Sequence, residues 1–410
     1  MLSDIIFRRD VRMRNVKIAA VTIAVALVVL ALVAQPVSAN PTTRRQSLRA
    51  YIDEQYDSAE GGYTHPGSQT SFVDSTFGVI SIFDDWDLLE IRPPIIDFLK
   101  VKNFTQKLHW TLVSETTDRY GGFGEFIAGS VNQKNAYDGI NLFDLLSQNR
   151  LSDIPNIEQI EFNGTAALYW INQTQSESGG FSDTVGESPD IVSTFYALHS
   201  MEIALQTSEE DTWEKWLWNS TATAEWILSC RIGDGFKLSP ESNIAGVTAT
   251  AAAVLALSIL EVTIPNHQGI VDWILDKQVI SSEYDLFVGG FQESILTNDT
   301  NLASTYWALR ALDLLGGIAL VDDALAARFI VDCQAVDGGF GLVPDLNTGT
   351  LYYSSYAIKA LTYLGAEYEA LLEEEDPNNR PPVLIDWRWG LVLGIIIVAA
   401  VGALYSVRID

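Results

Sequence analysis

Cysteine is nearly absent. Two in 410 residues, Cys230 and Cys333, are too few for a disulfide-stapled scaffold. Histidine is scarce too, and His65, His109, His199 and His267 do not pair at metal-ligand spacing. Positive charge is also short: 25 Lys+Arg stand against 53 Asp+Glu, a formal net charge of −28. Such a chain repels phosphate backbones, so no nucleic-acid partner is expected. What the chain does have is apolar: 48% hydrophobic and 10% aromatic residues, enough for a large core in one large or two ordinary domains.

The long apolar runs are at the ends. Ile18 to Ala34 (IAAVTIAVALVVLALVA) follows Arg8, Arg9, Arg12, Arg14 and Lys17, and precedes the small residues Val37-Ser38-Ala39. This pattern reads as a signal peptide, or as an uncleaved signal-anchor. Trp389 to Val407 (WGLVLGIIIVAAVGALYSV) is long enough to cross a bilayer, with Trp387, Trp389 and Tyr405 at its ends. The chain therefore divides into a signal peptide or signal-anchor (1–39), an ectodomain (41–370), an acidic, proline-containing linker (371–386) and a transmembrane helix (387–408). The expected location is a membrane, single-pass or two-pass if the signal is uncleaved, with the ectodomain extracytoplasmic. Glycosylation sequons at Asn103, Asn163, Asn172, Asn219 and Asn298 agree with export.

Within the ectodomain a Gly-Gly-aromatic unit recurs at Gly61-Gly62-Tyr63, Gly121-Gly122-Phe123, Gly179-Gly180-Phe181, Gly289-Gly290-Phe291 and Gly338-Gly339-Phe340, with Asp234-Gly235-Phe236 a degenerate sixth copy. The spacing of roughly fifty to sixty residues is room for two helices and two loops. Upstream of each copy stands an amphipathic helix ending in an aromatic and an aliphatic residue, such as Trp170-Ile171 or Phe329-Ile330. Downstream stands a helix rich in small and apolar residues, such as Ser193-Thr194-Phe195-Tyr196 or Ser304-Thr305-Tyr306-Trp307. One copy, Thr248 to Leu260, is apolar nearly all round and must be buried on most sides. The glycines are read as ending the first helix and admitting a close neighbour, with the aromatic wedged between hairpins. The prediction is an all-α fold, an α/α toroid of six hairpins in two concentric rings around a cavity, with essentially no sheet. An open solenoid is the alternative.

Gln334-Ala-Val-Asp337-Gly-Gly-Phe-Gly341 and its relatives resemble the prenyltransferase/squalene-cyclase repeat, over about residues 45 to 368. That resemblance implies the toroid. Protein prenyltransferase β subunits of this superfamily hold a zinc through an Asp-x-Cys pair and a His. Aligning the repeats puts Asn301 and Ala303 at the pair and Tyr353 at the histidine, while Ile295 and Asn298 stand where basic residues would meet the lipid diphosphate. No cofactor is therefore expected, and zinc least of all. Triterpene cyclases protonate with Asp-x-Asp-Asp, and the nearest run, Asp84-Asp85-Trp86-Asp87, reads as a solvated loop. The thioester motif of complement-type toroids is missing, and cobalamin carriage leaves no sequence mark to test.

The residues opening the inner helices are the candidate ligand site: Asp74, Asp190, Asn301, Tyr306, Trp307, Tyr352 and Tyr353, all expected near one rim. Asp190 and Asn301 also suit N-capping, and the aromatics suit simple filling of the ring. His199 reads as a satisfied core histidine, and Cys230 and Cys333 as buried free thiols. Three functions follow. The first is a membrane-anchored binding module for an apolar isoprenoid, lipid or protein partner. The second is a prenyl-class transferase or cyclase using a carboxylate of raised pKa at Asp74 or Asp190, its catalytic residues otherwise unknown. The third is a secreted cofactor carrier.

Overall fold

The computed structural model describes residues 42–90, 96–147, 162–207, 211–217, 219–281, 285–297 and 299–378. Residues Thr43–Asn378 form one compact unit. The apolar runs at 18–34 and 389–407, residues 379–386 of the 371–386 linker, and Asn298 lie outside the described residues. Among the described residues no helix is long and apolar enough to cross a membrane.

Among the described residues twelve helices follow one another: α1 (Arg44–Glu54), α2 (Val73–Asp85), α3 (Phe98–Leu108), α4 (Gln133–Ser147), α5 (Gly164–Gln173), α6 (Ile191–Leu205), α7 (Ser220–Ser229), α8 (Val247–Ile259), α9 (His267–Leu275), α10 (Leu302–Leu314), α11 (Asp323–Asp332) and α12 (Leu351–Leu364). One-turn helices at Trp213–Trp216 and Ala366–Glu369 are additional. The even-numbered helices pack in order, each on the next, and α12 packs on α2. The ring is closed, and the open solenoid is excluded. The odd-numbered helices back onto this ring. The apolar α8 is buried as its composition requires: Val247, Ala251, Ala252, Ala253, Val254, Ala256 and Leu257 are all without exposure.

Most outer helices start at a side-chain cap. Thr43 forms a capping box with Gln46, and Asp97, Asn163, Asn219 and Asp322 each accept a hydrogen bond from the backbone N–H three residues on. The outer helices end several residues before the glycines, at Gln55, Thr174, Cys230 and Cys333 among others, so the glycines do not terminate them. Instead each glycine pair lies against the next outer helix. At Gly121 (φ +87°) a Cβ would sit 1.8 Å from the carbonyl oxygen of Ala166, and at Gly289 (φ +99°) 1.9 Å from that of Leu325. The second glycine of each pair lies under the aromatic of that helix: Phe104, Trp170, Trp226, Trp273, Phe329 and, for Gly339, Tyr51 of α1. The sixth contact thus returns to the first helix.

Hydrogen bonds reinforce this closure. Tyr51 donates to the Gly349 carbonyl at 2.8 Å, Gln334 Nε2 to the Arg44 carbonyl at 2.9 Å, and Arg44 Nη1 to the Val331 carbonyl at 2.7 Å. Arg44 is buried and also faces Asp332 at 3.6 Å.

The aromatic after the glycines is held by its own repeat. The backbone N–H groups of Tyr63, Phe181, Phe236, Phe291 and Phe340 donate to the hydroxyls of Thr76, Thr194, Thr250, Thr305 and Ser354, one turn into the inner helix. This explains the Ser/Thr signature of the second helices. The same stretch forms antiparallel ribbons two or three residues long, pairing Tyr63 with Phe72, Phe236 with Gly246 and Phe291 with Asn301. Sheet is therefore present in miniature, because an extended chain doubling back into a helix pairs with itself. Cys230 and Cys333 are buried free thiols, and burial pushes Cys230 up to about 12.

Candidate functional site

The seven candidate residues do not share one rim. Asp190 is occupied as the N-cap of α6, accepting from the backbone N–H groups of Val192 and Ser193 at 2.9 Å and from the Ser193 hydroxyl at 2.5 Å. Asn301 caps α10 through Ser304, at 2.8 Å to the backbone N–H and 3.0 Å to the hydroxyl. Asp74, in the first turn of α2, pairs with His65 Nε2 at 2.9 Å, and His65 stacks on Phe72 with centroids 3.9 Å apart. The hydrogen bond that His65 donates to Asp74 raises the His65 pKa. Burial pushes the Asp74 carboxyl up, but the bond and charge of His65 outweigh it and hold the carboxyl below its usual range. Asp74 is thus no raised-pKa acid. Tyr352 and Tyr353 stand in the first turn of α12, whereas Tyr306 and Trp307 stand in the second turn of α10, 4% and 3% exposed.

The deeper level is where side chains converge. Tyr306 stacks on Tyr356 of α12 with centroids 4.1 Å apart. Trp307 meets Phe195 of α6 edge-on at 5.6 Å, reaching past α8, whose small residues leave room. Tyr196 and Tyr137 continue the series at 4.8 Å, and Phe77 of α2 meets Tyr137 at 6.0 Å. From α4, Lys134 lies 4.7 Å from the centre of the Tyr352 ring on α12, across α2. Arg310 and Tyr352, on neighbouring inner helices, keep some solvent exposure. Five of the six inner helices contribute to this cluster, mostly with aromatic rings.

Charge is paired within it. Lys134 bonds Asp138, a fully buried carboxyl that burial pushes up to about 6 despite the lysine. Lys359 bonds Asp85 at 3.1 Å, and burial raises that carboxyl as well. Asp85 therefore belongs to no solvated loop: it closes α2 with its side chain turned to α12. His199 Nε2 lies 3.2 Å from Asn141 Oδ1, and its Nδ1 faces Glu202 at 3.7 Å. The sequence reading missed Lys134, Asp138 and Arg310. A signal for the last existed, because Arg310 is the sole charged residue from Leu302 to Leu312.

A zinc ion finds no matching donors at the aligned positions. Asn301 is used as a cap, Ala303 has no donor, and Tyr353 follows the Thr350 cap of α12. Among the described residues no three His, Cys, Asp or Glu side chains gather at metal-holding distance. Of the sequon asparagines, Asn163 and Asn219 are exposed caps, Asn103 lies within α3, and Asn172 donates its amide to the Trp216 carbonyl at 2.7 Å.

A family model described as the prenyltransferase alpha-alpha toroid domain matches residues 9–217 and 206–387. The β subunit of geranylgeranyl transferase type-1 from Arabidopsis thaliana is 29% identical over 147 residues, 33% of this chain and 36% of that protein. The match spans about a third of that relative. Among solved structures, the protein geranylgeranyltransferase-I of Candida albicans, complexed with GGPP, superposes with a TM-score of 0.57 at 14% identity, covering 81% of this chain and 98% of that one. A wild-type glycosidase superposes with a TM-score of 0.54 at 10% identity, covering 78% and 96%. At such identities these likenesses establish the toroid and leave activity open.

Proposed function

We propose, from the premise that this chain belongs to the prenyltransferase alpha-alpha toroid family, that it is a membrane-anchored, extracytoplasmic binding module whose inner ring takes a single apolar chain of the isoprenoid or lipid kind. The observation that carries this reading is the cluster of aromatic rings that several inner helices bring together beside Tyr352 and Arg310. Aromatic walls recognise an extended hydrocarbon by area and shape. The Candida albicans relative, described with GGPP bound, supports an isoprenoid as that chain. The donor set at Asn301, Ala303 and Tyr353 supports binding over zinc-dependent transfer. Anchoring and outside location rest on the two terminal apolar runs and the exposed sequon residues Asn163 and Asn219.

Native mass spectrometry of the full chain purified from its own membrane, followed by solvent extraction, tests this. The expected result is a co-purifying lipid of one apolar chain. An empty ring, or a stoichiometric protein partner in its place, would refute it.

A further inference from the structure

Three cations on the inner helices point toward the ring interior. Lys134 is answered by Asp138 and Lys359 by Asp85. Arg310 is answered by no carboxylate among the described residues. Its guanidinium donates to the Tyr306 hydroxyl at 3.1 Å and has the Tyr137 hydroxyl as a second hydrogen-bond partner, which leaves N–H donors of the five without an anionic acceptor. The rest of its surroundings are rings: the guanidinium carbon lies 5.0 Å from the centre of Phe195, 5.5 Å from Trp307 and 6.0 Å from Tyr306. Ring faces offset part of the desolvation of a cation but accept none of its remaining N–H groups in the plane of the fork. A charge so placed has phenol oxygens and ring faces for company and no anion to answer it.

We propose that Arg310 is the receptor for the anionic end of an amphiphile whose apolar chain lies against the aromatic cluster. The proposal rests on the chain-binding reading above. A guanidinium fork meets a carboxylate or a phosphate bidentately, so the shared chemistry is a flat pair of anionic oxygens on a single-chain lipid. The head group is held deep in the ring, more than two helical turns from the Asn301 cap. Asp85 and Asp138 do not compete for the guanidinium, since each is held by its own lysine.

Calorimetric titration of the full chain in detergent with geranylgeraniol, geranylgeranoic acid and geranylgeranyl monophosphate tests this, because the three probes share one chain and differ only in the head. An anionic probe should bind at least about tenfold tighter than the alcohol, the gain of a charge-assisted bond. The preferred anion separates a carboxylic acid from a phosphate as the source. R310Q should abolish the preference, and R310K should restore part of it. Equal affinity for alcohol and anions on the unaltered chain, or a preference that survives in R310Q, overturns the role of Arg310 while chain binding stands. Failure of all three probes to bind removes the chain-binding reading and this inference with it.

Discussion

At the outer seam one contact is made six times: the glycine before the repeat aromatic lies under the aromatic of the next outer helix, from Gly62 on Phe104 round to Gly339 on Tyr51. In the inner ring no two helices present the same side chains. α8 offers alanines, α10 offers Tyr306, Trp307 and Arg310, and α4 offers Lys134, Tyr137 and Asp138. The seam must repeat because ring closure requires the same step between neighbouring hairpins. The interior faces only itself and whatever enters it, and is free to differ. Stability should therefore concentrate at the seam, and selectivity at the interior.

The seam is the place to break the fold. Trp170 is fully buried over Gly122 and donates its indole N–H to the Asp118 carbonyl at 2.9 Å. Trp170→Ala should cost about 3–5 kcal/mol in denaturant unfolding. Gly121→Ala, which needs φ +87° and collides with the Ala166 carbonyl, should cost about 3 kcal/mol or more. Losses below about 1 kcal/mol for both would mean that the seam does not hold the ring.

Interior charges sharpen the contrast. Asp138→Ala strands Lys134 and should cost about 3 kcal/mol. Arg310→Met removes a cation with no acid partner and should be neutral or stabilising, the pattern of a residue retained for binding. Equal destabilisation by the two substitutions, read from thermal melts, would make Arg310 a structural group. Asp190→Ala deletes a helix cap and should cost about 1 kcal/mol.

The smallest effect is a pH dependence. His65 titrates above its usual value when folded, so its contribution is complete below about pH 6.5 and is lost as pH rises through the raised pKa. Asp74 acts at the other end: its contribution is lost as pH falls through its lowered pKa. Because His65 is partly exposed, the difference between the parent chain and His65→Gln should be under about 1 kcal/mol, larger near pH 5.5 than near pH 8.5. A difference that grows toward alkaline pH would show that the pair has the opposite sense.

The seam was legible because repetition amplifies a weak signal. Five Gly-Gly-aromatic units with a degenerate sixth, and the Trp-Ile or Phe-Ile ends of the outer helices, point to one fold, and composition alone buries α8. The function of the glycines was less legible. Spacing alone suggests helix terminators, whereas their partners lie about forty to fifty residues further on, a contact that no local pattern reveals. The interior was read only in part. Placing Asp190, Asn301, Tyr306 and Trp307 on one rim fails because successive helical residues point about 100° apart, so a cap and an aromatic five positions on serve different levels and directions. Arg310 sits alone on an apolar helix, and its meaning depends on rings brought from α6, which sequence order separates from it.

The most direct test of the account is to locate a bound chain. A photoreactive geranylgeraniol analogue, crosslinked to the full protein in the presence of EDTA and mapped by peptide mass spectrometry, should label α6, α10 and α12 around Phe195, Trp307 and Tyr352. Labelling confined to outer helices and surface loops, or labelling of the ring that disappears when metal is chelated, would contradict it.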